Sequence, residues 1–219
     1  MKRAVLLVLL SMAAICFAAL GIWQLERRAW KLDLIARVEA RIHAPPVALP
    51  PPGQNVDTDR DEYRRVRLTG RFQHDRTTLV DALTLEGAGF WVLTPLQTGA
   101  GRVLVNRGFV PAARRNDYAR PSAPVTVIGL LRMTEPGGRF LRRNRPDANL
   151  WYSRDVAAIA RARNLGAVAP FFVDAERTSG YPLGGLTVVR FRNTHLIYAL
   201  TWFGLAGLAA FGFWRVKKG

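Results

Sequence analysis

The chain has 219 residues, of which 49% are hydrophobic and 22% charged, so an extended disordered chain and a collagen-like repeat are excluded. The chain has 32 Lys and Arg residues and 16 acidic residues, and a net charge of +16 is ordinarily a reason to consider nucleic acid as a partner. A single cysteine excludes an intramolecular disulfide and a zinc site built on several thiolates.

The first apolar run covers residues 4–23, and Ser11 is its only polar side chain. A helix rises about 1.5 Å per residue, so this run is long enough to cross about 30 Å of hydrocarbon. A cleavable signal peptide is the alternative, because Met1-Lys2-Arg3 resembles a basic leader and small residues follow Cys16. The run is longer than the usual signal core of about 7 to 15 residues, so we predict an uncleaved transmembrane helix over residues 4–24.

A second apolar run covers residues 196–214 and is followed by Arg215, Lys217 and Lys218. It predicts a transmembrane helix over residues 194–214 and a basic tail over 215–219. Residues 25–193 then lie on the opposite side of the membrane from both termini, with 27 of the 32 cations and all the acids. The positive-inside rule does not decide the orientation, because segments of this length are translocated largely regardless of charge.

The segment between the spans predicts an α+β domain that is mostly β. Helical spacing continues over residues 30–41 as a juxtamembrane helix and ends at Pro45 and Pro46. Alternating polar and apolar residues then predict strands, and glycine-bearing turns between them favour a small antiparallel barrel or sandwich. The predicted strands cover residues 65–72, 77–83, 90–96, 102–109 and 125–132, with 171–173 and 186–191 as candidates to close the sheet. A helix is predicted over 153–164, with Ser153 as its N-cap.

Motifs of enzyme chemistry are not found in the sequence. There is no Walker loop, no GxGxxG following a strand and no GxSxG elbow, so we predict a protein that is not an enzyme. The densest basic cluster, residues 142–145, lacks the interleaved aromatics of a nucleic-acid platform, and no nucleic-acid partner is expected.

The start of the second span carries the strongest site candidate. Asn193 or Thr194 is placed to cap the helix, and His195 follows in its first turn at the depth of the membrane interface. Neutral imidazole is a good iron ligand, Tyr198 and Trp202 share its helical face, and Arg190 and Arg192 are placed to pair with porphyrin propionates. The alternative is a histidine that hydrogen-bonds the other span, beside aromatic residues of an interfacial belt.

Three motifs in chain order resemble one family. They are residues 21–25 (GIWQL) with Arg27, Trp30 and Lys31, residues 105–111 (VNRGFVP), and residues 193–203 (NTHLIYALTWF). Together they resemble the surfeit locus protein 1 family of cytochrome c oxidase assembly factors. Phe109 stands where Trp is frequent, and Thr194 where a second Asn is common.

The resemblance implies a two-span protein of the inner membrane, with both termini inside and the large domain outside. It implies haem a as cofactor, His195 as the candidate axial ligand of its iron, and oxidase subunits, the haem a supply machinery and membrane lipid as partners. Trp23, level with His195, is expected to join Tyr198 and Trp202 as a wall of the ring. No Arg- and Ser-rich transit segment precedes Ala4, which favours a bacterial inner membrane and a periplasmic domain.

Two questions stay open from the sequence. The protein either binds haem a and assists its insertion, or acts as a haem-free chaperone that grips oxidase subunits through its basic outer domain. The motif Asn106-Arg107-Gly108 is either a binding site or a corner that defines the fold, in which Gly108 permits a turn and Arg107 holds a carboxylate.

Overall fold

The structure is a computed structural model that describes residues 2–51, 53–139, 141–187, 191 and 193–219. It divides into two units, one formed by Met1–Glu39 with Val189–Gly219 and the other by Ala40–Val188. The elements in chain order are α1 (Lys2–His43), β1 (Val47–Ala48), α2 (Thr58–Asp61), β2 (Arg65–Phe72), β3 (Thr78–Thr84), β4 (Gly87–Thr98), β5 (Gly101–Pro111), β6 (Val125–Met133), β7 (Gly138–Arg139), β8 (Arg142–Arg143), α3 (Val156–Ala162), β9 (Phe171–Ala175) and α4 (His195–Lys218).

The first unit is an antiparallel pair of helices, because the start of α1 contacts the end of α4. Arg3 donates hydrogen bonds from Nε to the carbonyl of Val216 (3.1 Å) and from Nη2 to that of Lys217 (2.8 Å). Both helices are long and apolar enough to cross a membrane. Large apolar side chains such as Ile15 and Leu208 are exposed on the pair, which is compatible with a hydrocarbon surrounding.

Helix α1 runs without a break through the segment that the sequence divides into a span and a juxtamembrane helix. It ends at His43, just before Pro45 and Pro46, because proline lacks the amide proton that a helix needs and disfavours helical geometry in the residue before it. Helix α4 begins at His195 and carries Arg215, Lys217 and Lys218 in its last turn, where cations complement the helix dipole.

The second unit is built on a seven-stranded sheet with the order β1-β2-β6-β9-β5-β4-β3. An additional pairing joins β2 to β4, so the hydrogen-bonded order returns to β2 after five strands. Strands β7 and β8 form a separate two-stranded sheet. The second half of β2 makes the return pairing, where Gly70 lies opposite Thr98 and Phe72 opposite Leu96.

Two hydrophobic clusters use alternate residues of the same strands. In β5, Val103 and Val105 belong to one cluster and Leu104 to the other; in β9, Val173 belongs to the first and Phe172 to the second. The first cluster takes its buried residues from β2, β4, β5, β6 and β9, namely Val66, Leu68, Leu96, Val103, Val105, Leu131, Phe171 and Val173. The second packs β3, β4, β5 and β9 against α3, so the opposite faces of the strands are buried in two separate cores.

The sequence predicts an antiparallel sheet, but the sheet is mixed. Strand β9 lies between β6 and β5 and is antiparallel to the first and parallel to the second, and β1 is parallel to β2. The parallel neighbours β5 and β9 are joined by a long connection that passes through β6 and α3, as a parallel pair requires.

Two local predictions also change. The N-cap of α3 is Asp155, whose carboxylate accepts from the Ala158 amide (3.0 Å), and not Ser153, whose hydroxyl donates to the carbonyl of Glu135 (2.7 Å). Of the candidate strand over 186–191, Leu186 and Thr187 are not in a strand, and 188–190 lie outside the described residues.

Candidate functional site

His195 is the first residue of α4, and Gln24 of α1 lies beside it. Thr194 is the N-cap, but its hydroxyl makes no capping hydrogen bond. Its carbonyl instead accepts from the amides of Ile197 (3.1 Å) and Tyr198 (3.4 Å). The imidazole Nδ1 lies 2.7 Å from Oε1 of Gln24, so the histidine is tied to the neighbouring helix by its side chain.

This contact determines which nitrogen is available to a ligand. An amide oxygen accepts hydrogen bonds and does not donate them, so Nδ1 carries the proton in the neutral ring and the lone pair is on Nε2. Within the described chain, Nε2 has no hydrogen-bond partner. Histidines that bind metals commonly have this arrangement, with one nitrogen donating to an oxygen and the other on the metal.

The turns beyond His195 form the contact between the helices. Ala199 is 1% exposed, and the Trp202 ring stacks on Phe17 with centroids 5.6 Å apart. A Cβ on Gly21 would lie 2.6 Å from the Phe203 ring, so glycine allows the aromatic side chain to approach the α1 backbone. Small residues and stacked rings thus fix the pair next to the imidazole.

The other residues predicted to contact haem differ in how exposed they are. Trp23 is 49% exposed and Tyr198 55% exposed, so both rings are on the outer surface of the helix pair, and only Trp202 packs between the helices. Arg190 and Arg192 lie outside the described residues. The ammonium of Lys31 lies 5.0 Å from the Phe191 ring centroid, so this end of the pair carries a cation that was not among the predicted site residues.

The motif Asn106-Arg107-Gly108 lies near the end of β5, as the sequence predicts. Asn106 is buried, its Nδ2 donates to Oδ1 of Asp174 (2.8 Å), and its Oδ1 accepts from the Gly108 amide (3.2 Å). Gly108 has φ of +126°, and a Cβ there would lie 2.2 Å from the carbonyl oxygen of Leu183. Both the positive φ and the close approach require glycine.

Arg107 does not hold a carboxylate of the described chain. Its Nη2 donates to the carbonyl of Ala119 (2.5 Å), and its guanidinium lies over the ring of Phe72 at 4.8 Å. Burial, opposed by Tyr118 and assisted by the charge of Arg120, lowers the pKa of Arg107 from its ordinary value.

Asp174 is the centre of a polar network that the sequence motifs do not include. This buried carboxylate at the end of β9 accepts from Arg132 (3.1 Å), Arg154 (3.2 Å) and Thr187 (2.9 Å), as well as from Asn106. The only sequence signal is an acidic residue directly after the apolar run 171–173.

Arginines surround the acids of this network, and they lower the pKa of Glu135. Burial would raise the pKa of Glu135, but the hydrogen bonds and charge of Arg154, with the charge of Arg132, outweigh burial and lower it. A carboxylate whose negative charge is balanced by arginines is a poor proton donor or acceptor. The network therefore resembles a structural clamp more than an acid–base centre. In the ranges that the structure describes, no group of three or more His, Cys, Asp and Glu residues is placed to hold a metal ion.

These features define a class of protein: an α+β chain in which two helices, each long and apolar enough to span a membrane, flank a mixed-sheet domain. The SURF1 family matches residues 11–207, and the chain belongs to that family, which comprises cytochrome c oxidase assembly factors. It is 38% identical to "Surfeit locus protein 1" of Homo sapiens, over 88% of this chain and 71% of that protein. The corresponding values are 36%, 90% and 70% for the Rattus norvegicus protein, and 37%, 96% and 87% for a "SURF1-like protein" of Monosiga brevicollis.

Proposed function

We propose that this chain assists the assembly of haem a-containing cytochrome c oxidase and holds haem a through His195. The observation that carries the proposal is the 2.7 Å contact between His195 Nδ1 and Gln24 Oε1, because it leaves Nε2 with a lone pair and a fixed ring orientation. Family membership supplies the oxidase as the context.

The residues around His195 are compatible with a porphyrin in three respects. The imidazole is only partly buried, so a ligand has access to it from outside the helix pair. Trp23 and Tyr198 offer exposed aromatic faces on either helix, and ring faces pack well on a macrocycle. The Trp202–Phe17 stack supports the imidazole from the following turns of α4. When bound, haem a supplies an iron that takes the imidazole as an axial ligand.

The test is the visible absorption spectrum of the full chain, purified in detergent from a host that makes haem a. Wild-type protein is expected to carry a histidine-ligated haem a spectrum, and His195→Ala to lose it. His43→Ala is the matched control, because it removes another histidine at the far end of α1. Equal haem content in wild type and His195→Ala, with both folded by circular dichroism, would contradict the proposal.

A haem-free chaperone is the second candidate, and exposed side chains on the second unit favour it. Leu83 and Leu85 in and after β3, and Leu141 between β7 and β8, are largely exposed. Arg139 lines a cavity together with residues 83–86, and Arg142 lies 3.7 Å from Asp81. Apolar side chains flanked by arginines form a surface suited to a protein partner.

This candidate has its own test. Oxidase subunits would co-purify equally with wild type and His195→Ala, and the association would weaken as salt rises, because salt screens charge attraction. Leu85→Asp should reduce the yield of subunits if this surface is the contact. Retention that depends on His195 and not on Leu85 would favour the haem-binding function.

We further propose a bacterial inner-membrane location with both termini in the cytoplasm and the sheet domain, which we infer to be a small barrel, in the periplasm. Arg3 contacts the end of α4, which puts both termini on one side of the membrane, and family membership supports the cytoplasm as that side. A membrane-impermeant thiol reagent applied to intact spheroplasts should label Glu86→Cys and not Gly219→Cys. The reverse pattern would contradict the orientation.

A further inference from the structure

Arg107 is a buried cation that has no anionic partner in the part of the chain that the structure describes. It is 8% exposed, and among the described residues no carboxylate lies within ion-pair distance of its guanidinium. One nitrogen, Nη2, donates to the Ala119 carbonyl, whereas Nη1 is buried and has no hydrogen-bond partner in the described chain. A buried charge in this state is costly, and such groups are normally paired.

The contacts that hold Arg107 are neutral. The ring of Phe72 lies under the guanidinium, and the ring centroid of Tyr118 lies 5.9 Å from the guanidinium carbon. Ring faces attract a cation but do not accept the in-plane hydrogen bonds of Nη1. The guanidinium is thus held in place with one edge unused.

A cavity of about 500 Å³ lies next to this side chain, and Arg107 is among its lining residues. Phe72 and the β6 residues Val125 and Val127 give it apolar walls, and the segment 175–182 lines another side. Its volume is that of a site for a small organic molecule.

The acidic residue that lines the cavity is already engaged. Both carboxylate oxygens of Glu176 accept from Arg65, through Nε and Nη2, so this acid does not neutralise Arg107. An exposed cation, Arg177, lines the cavity instead. The surroundings therefore favour the entry of an anion.

We propose that this cavity binds a small organic carboxylate, with the carboxylate on Arg107 and the apolar body against Phe72, Val125 and Val127. The planar guanidinium matches the two oxygens of a carboxylate, and one buried cation balances one negative charge. The site is in the sheet unit and does not depend on His195 or on haem a, so this proposal stands apart from the proposed function.

The test uses benzoate and its neutral analogue benzamide with the purified full-length protein, by isothermal titration calorimetry. Benzoate is expected to bind at least about tenfold more tightly than benzamide, because only the carboxylate makes charge-assisted hydrogen bonds. This comparison needs no substitution, so it does not depend on whether a variant folds. Equal affinities, or no heat from either compound, would overturn the proposal.

Three variants locate the site. Arg107→Gln should weaken benzoate binding at least about tenfold. Ser179→Trp, which places a bulky side chain on the exposed lining segment and leaves Arg107 unchanged, should also reduce it. Arg120→Gln is the matched control, because it removes an equal charge from the nearby surface and should retain binding. If Arg120→Gln and Arg107→Gln weaken binding alike, or if Ser179→Trp binds as wild type does, the carboxylate is not in this cavity and the proposal fails.

Discussion

His195 and Gln24 are joined by a side-chain contact of 2.7 Å between Nδ1 and Oε1, across the two helices of the first unit. The residues are 171 positions apart in the chain, so the pairing of α1 and α4 creates this contact. It fixes the tautomer and the orientation of the imidazole, and leaves Nε2 as the nitrogen that a metal would meet.

Replacing Gln24 with alanine should weaken haem a binding without abolishing it. The imidazole would keep its position on α4 but lose the acceptor that orients it, and loss of such a partner commonly costs about 10-fold to 100-fold in metal affinity. Haem a titration followed by absorbance measures the change. Glu26→Ala, an exposed polar residue on the same helix, is the control and should titrate as wild type does. Identical affinities for Gln24→Ala and wild type would show that this contact does not orient the ligand.

Asp174→Asn should destabilise the sheet unit by about 3 kcal/mol or more, because it leaves Arg132 and Arg154 partly buried with less negative charge to balance them. Urea unfolding of the full chain, followed by the fluorescence of the buried Trp151, measures the free energy of unfolding. Asp117→Asn is the comparison, because that acid is largely exposed and lies 3.8 Å from Arg114; its effect should be close to zero. Equal effects of the two substitutions would contradict the role given to the buried network.

Gly108→Ala should also destabilise the sheet unit, by about 3 kcal/mol. A positive φ costs a non-glycine residue about 1 to 3 kcal/mol, and the new Cβ would collide with the Leu183 carbonyl. That carbonyl accepts from Phe109 (3.0 Å), and the Leu183 amide donates back to Phe109 (2.8 Å), so both bonds would be strained. Thermal unfolding monitored by circular dichroism is the measurement, with Gly99→Ala, where a Cβ meets nothing within 4 Å, as the control. A Gly108→Ala protein as stable as the control would argue against a structural corner.

Acid should destabilise the sheet unit through Asp61 and Glu135. Hydrogen bonds from Arg60, with those from the Asp57 amide and Arg64, outweigh burial and hold the pKa of Asp61 below its ordinary value of 3.8. The pKa of Glu135 is likewise lowered from its ordinary value of 4.5, because the hydrogen bonds and charge of Arg154 and the charge of Arg132 outweigh the effect of burial. A carboxyl whose pKa is lower in the folded state stabilises that state above its unfolded pKa, and this contribution is lost as the pH falls.

The free energy of unfolding is therefore expected to be level above about pH 5. It should fall as the pH drops below 4.5, the ordinary pKa of Glu135, and fall further below 3.8, the ordinary pKa of Asp61. Urea unfolding at a series of pH values tests this. Asp61→Asn should lower stability at pH 7 and make the acid loss shallower, whereas Asp75→Asn, an exposed acid 3.7 Å from Arg76, should leave the profile unchanged. A stability that rises on acidification would reverse the sign of the argument.

The sequence predicts the elements of this fold better than their partners. The strand over 65–72 is found with the predicted bounds, because its alternation is a local property of the chain. The insertion of β9 between β5 and β6 is not visible, since neighbouring strands here are brought together by a crossover. The cap of α3 shows the same limit: Ser153 and Asp155 are both good caps, and contacts with Glu135 decide which residue serves.

The candidate site divides in the same way. His195 is identifiable because an ionisable side chain at the start of an apolar helix is unusual and its neighbours form a motif. Asp174 is missed because its partners Arg132, Arg154 and Asn106 are 20 to 68 positions away, and no spacing rule connects them. The sequence motif includes Arg107, but it does not show that one guanidinium nitrogen lacks a hydrogen-bond partner among the described residues. The other nitrogen donates to Ala119, in a loop whose path the sequence does not reveal.

The most direct test of the central claim is chemical rescue of the imidazole. His195→Gly protein purified from a haem a-producing host should lack the histidine-ligated spectrum, and free imidazole added with haem a should restore it, because the ligand then enters the space left by the side chain. Wild-type protein should be unaffected by imidazole. If His195→Gly retains haem a with an unchanged spectrum before imidazole is added, His195 is not the axial ligand and the haem-binding account is contradicted.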